Sequence, residues 1–99
     1  MIRVALPAHL RSLAGTTSSV LEVDVGATPT IAAVLDALER EHPMLRGTIR
    51  EHNGGKRRAY IRFYAGSRDL SNDPSDMPLP FEVASGAEEL RIIGAIAGG

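Results

Sequence analysis

Cysteine is absent from the 99 residues. The chain therefore has no disulfide, no thiolate metal site, and no thiol for thioester or redox chemistry. An excess of charge of one sign is also missing, since 11 basic and 12 acidic side chains give a formal net charge of −1. With no strong overall field, we expect no general attraction to nucleic acid or to an anionic membrane.

Long hydrophobic runs are missing as well. No stretch approaches the roughly 20 apolar residues of a membrane span. The first apolar run contains Arg3 and stops at Pro7, which is unlike a secretory signal. We therefore expect a cytoplasmic protein. Apolar residues make up 43% and charged residues 23% of the chain, which indicates one ordinary globular domain.

Two alternating segments open the chain. "MIRVAL" and "SVLEVDV" place apolar residues at every second position, the pattern of half-buried strands. We predict that they form an antiparallel hairpin. The segment between them is interpreted as a connection with a short turn around Leu10 and Leu13.

The spacing of the apolar residues then changes from every second residue to a period of about 3.6 residues. In "TIAAVLDALEREHP" the apolar residues recur at three- and four-residue steps, which predicts an amphipathic helix. Either Thr28 or Thr30 can cap its first amides. Pro43 sets its end, because a proline ring cannot continue the helical hydrogen bonds.

The second half of the chain returns to strand patterns. "AYIRFY" and "LRII" alternate, and "FEVASGAEEL" is interpreted as a possible short edge strand followed by a turn. The predicted order β-β-α-β-(β)-β indicates an α+β fold with one sheet and one helix across it. Handedness favours the first and last strands as parallel neighbours in the middle of the sheet.

Motifs for side-chain catalysis are not found. His9, His42 and His52 lack metal-ligand spacing and are interpreted as solvated. "HNGGK" lacks the flanking residues of a phosphate loop, and "AGSRD" lacks the last glycine of a nucleophile elbow. We therefore predict no catalytic residue and no metal site.

One patch combines cations with aromatic rings. "KRRAYIRFY" places Tyr60, Arg62 and Tyr64 on one strand face directly after three basic residues. Such a face can stack on single-stranded nucleic acid, and it is also typical of protein interfaces, where tyrosine and arginine are enriched. Because the overall charge is close to neutral, a protein interface is the favoured interpretation.

The sequence ends in "LRIIGAIAGG". Two glycines without Cβ atoms can lie extended in a channel too narrow for other residues. The α-carboxylate of Gly99 would then be the reactive group. A frayed terminus is the alternative interpretation, but the glycines follow a predicted core strand through small residues and one apolar side chain, Ile96.

Taken together, these segments resemble the ubiquitin-like β-grasp sulfur carriers, the family of the small subunit of molybdopterin synthase (MoaD) and the thiamine sulfur carrier (ThiS). The similar segments are "IRVALPAHLRSLAG", "TPTIAAVLDALEREHPML", "YIRFYAGSRDL" and "SGAEELRIIGAIAGG". The resemblance implies a β-grasp fold, with a mixed four- to five-stranded sheet packed on one main helix. Residues 1–93 would form this domain, and residues 94–99 a flexible tail.

The resemblance also implies a carrier that has no catalytic residue and binds no cofactor of its own. A partner activating enzyme would use ATP to adenylate Gly99. A sulfur donor enzyme would then convert it to a thiocarboxylate. Ile96, Ala97 and Gly98 would insert into the partner. The acceptor would be a synthase such as the molybdopterin synthase large subunit or a cysteine synthase.

The same resemblance implies a docking face for these partners. It would consist of Tyr60, Arg62, Tyr64, Arg91 and Ile93. Two alternatives stay open on the sequence: a protein modifier joined through Gly99 to lysines of other proteins, and a β-grasp interaction module with an inert tail.

Overall fold

The computed structural model describes residues 1–52 and 55–94. Five strands and three helices are found there, together with a short 3-10 turn after the longest helix. Their bounds are β1 Ile2–Ala5, α1 Ala8–Ala14, β2 Val20–Val23, α2 Ile31–Glu41, the 3-10 turn Pro43–Leu45, β3 Ile61–Ala65, β4 Arg68–Asp69, α3 Phe81–Ala84 and β5 Leu90–Gly94.

All five strands join one mixed sheet in the order β2-β1-β5-β3-β4. β1 pairs antiparallel with β2, with Ile2 opposite Val23. β1 also pairs parallel with β5, where Val4 lies opposite Leu90. The α+β class and the parallel pairing of the first and last strands in the sheet centre are therefore confirmed. β5, the last strand, is the middle strand of the sheet.

The hydrophobic core lies between the inner sheet face and α2. Alternate residues of β1, β3 and β5 are buried, as the period of two predicts. The buried stripe of α2 and the turns that follow it complete the same cluster. Its fully or nearly fully buried members include Ile2, Val4, Val34, Leu35, Leu38, Leu45, Ile49, Ile61, Phe63, Leu90 and Ile92.

Helix α2 begins where a threonine caps it. Of the two predicted caps, Thr30 serves, because its Oγ1 accepts a hydrogen bond from the amide of Ala33 at 3.0 Å. Its backbone is extended at the cap position, as an N-cap requires. The helix ends at Glu41, two residues before Pro43. Both ends of the predicted helix are thus explained by local chemistry.

Thr30→Ala should lower the free energy of unfolding by about 1 kcal/mol, because one first-turn amide loses its partner. Thr30→Ser keeps the hydroxyl and is the matched control, expected within a few tenths of a kcal/mol of the parent. Urea unfolding monitored by circular dichroism measures both. Equal losses in the two variants would show that the methyl group, and not the cap, matters at this position.

The predicted turn between β1 and β2 is wrong. The segment folds as the seven-residue helix α1, with Leu10 buried on its inner side. Gly15 ends it in the left-handed conformation at φ 72°, where its amide bonds the carbonyls behind it. Two turns are too short to display a helical period in the sequence, so the glycine was interpreted only as a turn residue.

The predicted edge strand in "FEVASGAEEL" is also wrong. Residues Phe81–Ala84 form the one-turn helix α3, since the amides of Val83 and Ala84 bond the carbonyl of Pro80 at 3.0 and 2.9 Å. The edge of the sheet is instead the two-residue β4, which pairs with the end of β3. Alternation over four residues does not separate a strand from a single helical turn.

A buried arginine fixes the segment that follows α2. Arg50 is 6% exposed. Its Nε lies 2.9 Å from one carboxylate oxygen of Glu39, and its Nη2 lies 3.0 Å from the other and 2.6 Å from Asp36. Hydrogen bonding to Glu39 outweighs burial and raises the pKa of Arg50. The guanidinium thereby holds residues 49 and 50 against the outer side of α2.

Strand β5 ends at Gly94, and the division into a domain of residues 1–93 and a tail of residues 94–99 stays a prediction. Across the described ranges, no helix has the length and apolar character needed to cross a bilayer.

Candidate functional site

The final strand positions the predicted site. In β5 the side chains alternate: Leu90 and Ile92 are buried, whereas Arg91 and Ile93 are exposed on the other face of the sheet. Gly94 is paired with Ile61 at the end of this strand. The last described residue therefore lies at the end of the middle strand of the sheet.

Gly94 occupies a crowded position. A Cβ there would lie 2.9 Å from Cδ1 of Ile61 and 3.2 Å from Cε1 of His9. A larger residue could be accommodated only if one of these side chains shifted. His9 belongs to α1 and is half-buried. The sequence interpretation of His9 as a solvated residue in a turn missed this contact, because it missed the helix.

Four of the five predicted interface residues lie on one sheet face. Arg62 is opposite Ile93, and Tyr64 is opposite Arg91, in the antiparallel register of β3 and β5. The Arg91 guanidinium lies 5.8 Å from the Tyr64 ring centroid, a cation–π distance. We call Arg62, Tyr64, Arg91 and Ile93 the outer face. Ile93 is 42% exposed, an apolar side chain among cations.

Tyr60, the fifth predicted interface residue, lies one residue before β3. It is 40% exposed and sits in the turn that leads into the strand. Arg91 is further fixed by a hydrogen bond to the carbonyl of Gly66 at 3.1 Å. The outer face therefore combines tyrosine, arginine and an exposed isoleucine, and at least Arg91 is held in place by its contacts. This composition is typical of a protein interface.

A carboxylate borders the outer face. Asp69 of β4 is opposite Tyr64, and its carboxylate lies 3.9 Å from the Nε of Arg62. The Ser71 hydroxyl, and next its backbone amide at 2.8 Å, lower the pKa of Asp69. Asp69 therefore stays ionised and limits the positive potential at this edge.

This lowered pKa predicts a pH effect on stability. The contribution of Asp69 is fully present above its ordinary value of 3.8 and is lost as pH falls through the lower folded-state pKa. The stability of Asp69→Asn should therefore converge on that of the parent as the pH is lowered through this range. Urea midpoints over a series of acidic pH values measure it. Asp76→Asn, an exposed carboxylate in the same loop region, is the control. A constant difference between Asp69→Asn and the parent would contradict the prediction.

The basic cluster before β3 has a structural role. Arg57 donates to the carbonyls of Ile61 at 2.6 Å and Ser71 at 3.1 Å. Arg58 donates to the carbonyl of Gly47. Two of the three cations that suggested nucleic-acid stacking are thus bound to backbone oxygens. No sequence signal separates such arginines from binding arginines, because their partners are distant along the chain.

The other titratable groups form no catalytic cluster among residues 1–52 and 55–94. No three histidine, aspartate or glutamate side chains in these ranges are grouped as metal ligands. His42 caps the end of α2, and the His52 ring lies where a Cβ at Gly47 would project.

The structure does not test the roles predicted for the tail residues. Ile96, Ala97, Gly98 and Gly99 lie outside the described residues, and their roles stay predictions. What the structure adds is the base of the tail. Gly94, the last described residue, ends the middle strand next to Ile93 of the outer face.

The fold is the ubiquitin-like β-grasp fold, as the resemblance implied. No family model matches the sequence, and no curated protein matches it. Solved structures do. SAMP1 from Haloferax volcanii is 24% identical, with 98% of this chain and 97% of that chain covered and a TM-score of 0.72.

Two further structures support the same fold. A chain of the BexX/CysO complex from Amycolatopsis orientalis is 20% identical over 100% of both chains, with a TM-score of 0.74. A second structure of H. volcanii small archaeal modifier protein 1 is 21% identical over 95% of both chains, with a TM-score of 0.70.

Proposed function

We propose that this protein is a ubiquitin-like sulfur carrier whose working group is the α-carboxylate of Gly99. The observation that carries the proposal is the position of β5: the middle strand of a β-grasp sheet runs directly into the sequence Ala-Ile-Ala-Gly-Gly. A partner enzyme adenylates Gly99 with ATP, and a sulfur donor enzyme converts the product to a thiocarboxylate. The proposal takes Gly99 as the last residue of the mature chain.

The chemistry explains why the carrier needs no catalytic side chain. A carboxylate is a poor electrophile, and adenylation makes it a mixed anhydride with AMP as a leaving group. Sulfide from the donor enzyme then attacks the carbonyl carbon, the C–S bond forms, AMP leaves with the electrons of the C–O bond, and the thiocarboxylate formed is a good nucleophile. ATP is a substrate of the activating enzyme. The carrier's own contribution is to present Gly98 and Gly99, which fit a narrow channel because they lack side chains.

The outer face is the proposed docking surface for the activating enzyme and for the acceptor. Arg62 and Ile93 are paired next to Gly94, and Tyr64 and Arg91 are paired two residues farther from it on the same face. Tyr60 extends the patch. A partner that binds this face can therefore receive Ile96, Ala97 and Gly98 in its channel. The CysO structure, solved as a complex with BexX, supports a role that depends on a partner protein.

The sulfur acceptor is proposed to be a cytoplasmic synthase. The two candidates are a molybdopterin synthase large subunit and a cysteine synthase, which would use the thiocarboxylate as nucleophile. A second function is favoured by the similarity to small archaeal modifier protein 1: conjugation of Gly99 to lysine amines of other proteins. Both functions begin with the same adenylation.

Intact-mass spectrometry of the protein made in its own cells tests the proposal. We expect a fraction in which one oxygen of the C-terminus is replaced by sulfur, and the same mass verifies that Gly99 is the terminal residue. Free carboxylate alone, with the activating enzyme present, would contradict the carrier function. Isopeptide remnants of the tail on other proteins would support the modifier instead. Neither species would indicate an interaction module with an inert tail.

A further inference from the structure

Gly94 has neighbours on both sides of the sheet. Alternation along β5 places it on the inner, core-facing side. On that side it meets Ile61 and His9 of α1, which a Cβ at this position would approach to 2.9 and 3.2 Å. Ile93, the preceding residue, belongs to the outer face. A partner that reaches the end of β5 therefore meets α1 as well as the outer face.

A chain of contacts links the 3-10 turn to the same end of the sheet. The turn packs against α1, and the exposed Arg46 follows it directly. The carbonyl of Gly47 accepts a hydrogen bond from the Arg58 side chain, and the carbonyl of Arg58 accepts one from the amide of Ile61 at 3.0 Å. Ile61 is paired with Gly94. The exposed and half-buried side chains of these segments, which we call the tail-base surface, are His9, Leu13, Met44, Arg46, Arg58 and Tyr60.

Three large apolar or aromatic side chains are exposed on the tail-base surface. Leu13 lies one helical turn after His9, on the same side of α1. Met44 is 66% exposed, although its neighbour Leu45 is fully buried. Tyr60 precedes β3 and joins the tail-base surface to the outer face. Exposed apolar side chains grouped beside arginines are typical of protein interfaces.

The charge of the chain is segregated, although its sum is close to zero. α1 and residues 42–60 contain one carboxylate, Glu51, and five cations that form no ion pair within the described residues. Arg50, a sixth cation, is paired with Glu39 and Asp36 of α2. Cations stay in excess when Asp36 and Glu41, at the end of α2, are counted as well. The five unpaired cations are Arg11, Arg46, Lys56, Arg57 and Arg58.

The start of β5 differs from its end in charge. Glu88 and Glu89 directly precede the strand. Arg3 donates hydrogen bonds to the two carbonyls just before them, at 2.9 and 3.1 Å. Arg68 is paired with Ala65, which lies opposite the first residue of β5. Both signs are therefore mixed at the start of β5, whereas the surroundings of its end are net positive.

We propose that the tail-base surface docks against the mouth of the channel that receives the tail in the activating enzyme, and that carboxylates rim this mouth around an apolar contact. Insertion of the tail is taken from the proposed function. A mouth that admits residues 95–99 must come close to the residues around Gly94. Net positive charge there attracts a carboxylate rim over roughly 10 Å at about 0.1 M salt. Because the start of β5 is mixed in sign, the same attraction turns the end of β5 toward the partner.

A protein is favoured over a nucleic acid as the occupant of this surface. Arg57 and Arg58 each bond backbone carbonyls of the domain, which leaves fewer of their N–H groups for phosphates. Leu13 and Met44 are apolar, and a phosphate backbone offers them no partner. The surface is also continuous, through Tyr60, with the outer face that is proposed to dock the same enzyme.

Two charge reversals of equal size test the electrostatic part. Arg46→Glu changes the tail-base surface, and Arg68→Glu makes the same change in net charge at the start of β5, on a side chain that is likewise exposed. We expect kcat/KM for ATP–pyrophosphate exchange by the activating enzyme to fall about tenfold in Arg46→Glu and less than about twofold in Arg68→Glu. Raising the salt from about 0.1 to about 1 M should bring the parent and Arg46→Glu together, because the Debye length falls from roughly 10 to 3 Å.

Two methionines test the apolar part. Met44→Gln replaces an apolar side chain of the tail-base surface by a polar one of similar length. Met77→Gln makes the same replacement at an exposed methionine that precedes α3 and lies outside this surface. We expect the KM for the carrier to rise about fivefold in Met44→Gln, at low and at high salt, and to stay unchanged in Met77→Gln. Circular dichroism melting curves of all four variants exclude a folding defect as the cause.

Three results would overturn the proposal. Equal effects of Arg46→Glu and Arg68→Glu would show that only the net charge matters. An unchanged KM in Met44→Gln would show that the enzyme does not touch this side of the tail base. Binding of a single-stranded oligonucleotide by the parent, and not by Arg46→Glu, would assign the surface to nucleic acid.

A failure of the proposed function gives a different result, namely no exchange with the parent itself. Equilibrium binding of the parent and the four variants to the same enzyme without ATP then decides about the surface. Weaker binding in Arg46→Glu and Met44→Gln than in their controls would support it. Absence of binding by the parent, or equal binding by all five proteins, would contradict it.

Discussion

Deletion of Gly99 should lower the rate of C-terminal adenylation by at least about 100-fold. The deletion moves the reactive carboxylate back by one residue, about 3.5 Å. A misplacement of about 1 Å at a reacting centre already costs about 100-fold. The shortened tail also presents Gly98, and behind it the Cβ of Ala97, one position deeper in a channel shaped for glycine. The measurement is ATP–pyrophosphate exchange with the activating enzyme, followed by the mass of the thiocarboxylate.

Controls separate chemistry from docking in this experiment. Gly99 deletion leaves every described residue unchanged, so the free energy of unfolding and binding through the outer face should stay as in the parent. The loss should therefore appear in kcat more than in KM. Deletion of Gly98 and Gly99 together should be at least as severe. Full exchange activity after either deletion would show that adenylation does not require the terminal glycines, and would contradict this prediction. No exchange activity in the parent itself would favour an interaction module with an inert tail.

The fold could be predicted from the sequence where the patterns are long. The helix α2 covers three turns of regular apolar spacing and has a threonine cap, and β1, β3 and β5 alternate cleanly between buried and exposed residues. The central parallel pair followed from connection rules. α1 and α3 were missed because one or two turns do not establish a period, so the local chemistry of Gly15 and Pro80 decided their structure.

The side on which the outer-face residues lie could be predicted within each strand, because alternation places Arg62 and Tyr64 on one face of β3 and Arg91 and Ile93 on one face of β5. Their grouping into one docking face came from the family resemblance, and its docking role stays a prediction. The roles of the other arginines could not be predicted. Arg50, Arg57 and Arg58 bind partners up to 15 residues away along the chain, and composition does not specify which carboxylate or carbonyl a guanidinium will meet. Long-range pairing has to be read from the structure.

Arg50→Ala should lower the free energy of unfolding by about 3 kcal/mol, the largest effect on stability expected from a single polar substitution here. Removing one member of a buried ion pair costs about 3–5 kcal/mol, because the other charge is left without a partner. The Arg50 side chain is 7% exposed and that of Glu39 is 14% exposed. Asp36 is 64% exposed and keeps its hydration, so the lower end of the range applies.

Thermal and urea unfolding measure this loss. For a domain of this size, about 3 kcal/mol corresponds to a fall in Tm of roughly 12–24 °C. Asp36→Asn is the matched control, expected to cost less than about 1 kcal/mol because that carboxylate is mostly exposed. Arg50→Lys should recover only part of the loss, since an ammonium cannot make the paired contacts of Nε and Nη2 with Glu39.

The double variant R50M/E39L distinguishes an unpaired charge from lost packing. If the cost of Arg50→Ala comes from stranding the Glu39 carboxylate, replacing both partners with apolar side chains should restore most of the stability. If it comes mainly from the empty volume, R50M alone should restore it and E39L should add nothing. A loss below about 1 kcal/mol in Arg50→Ala would contradict both, and would mean that the segment carrying Lys56 is held by Arg57 and Arg58 without the ion pair.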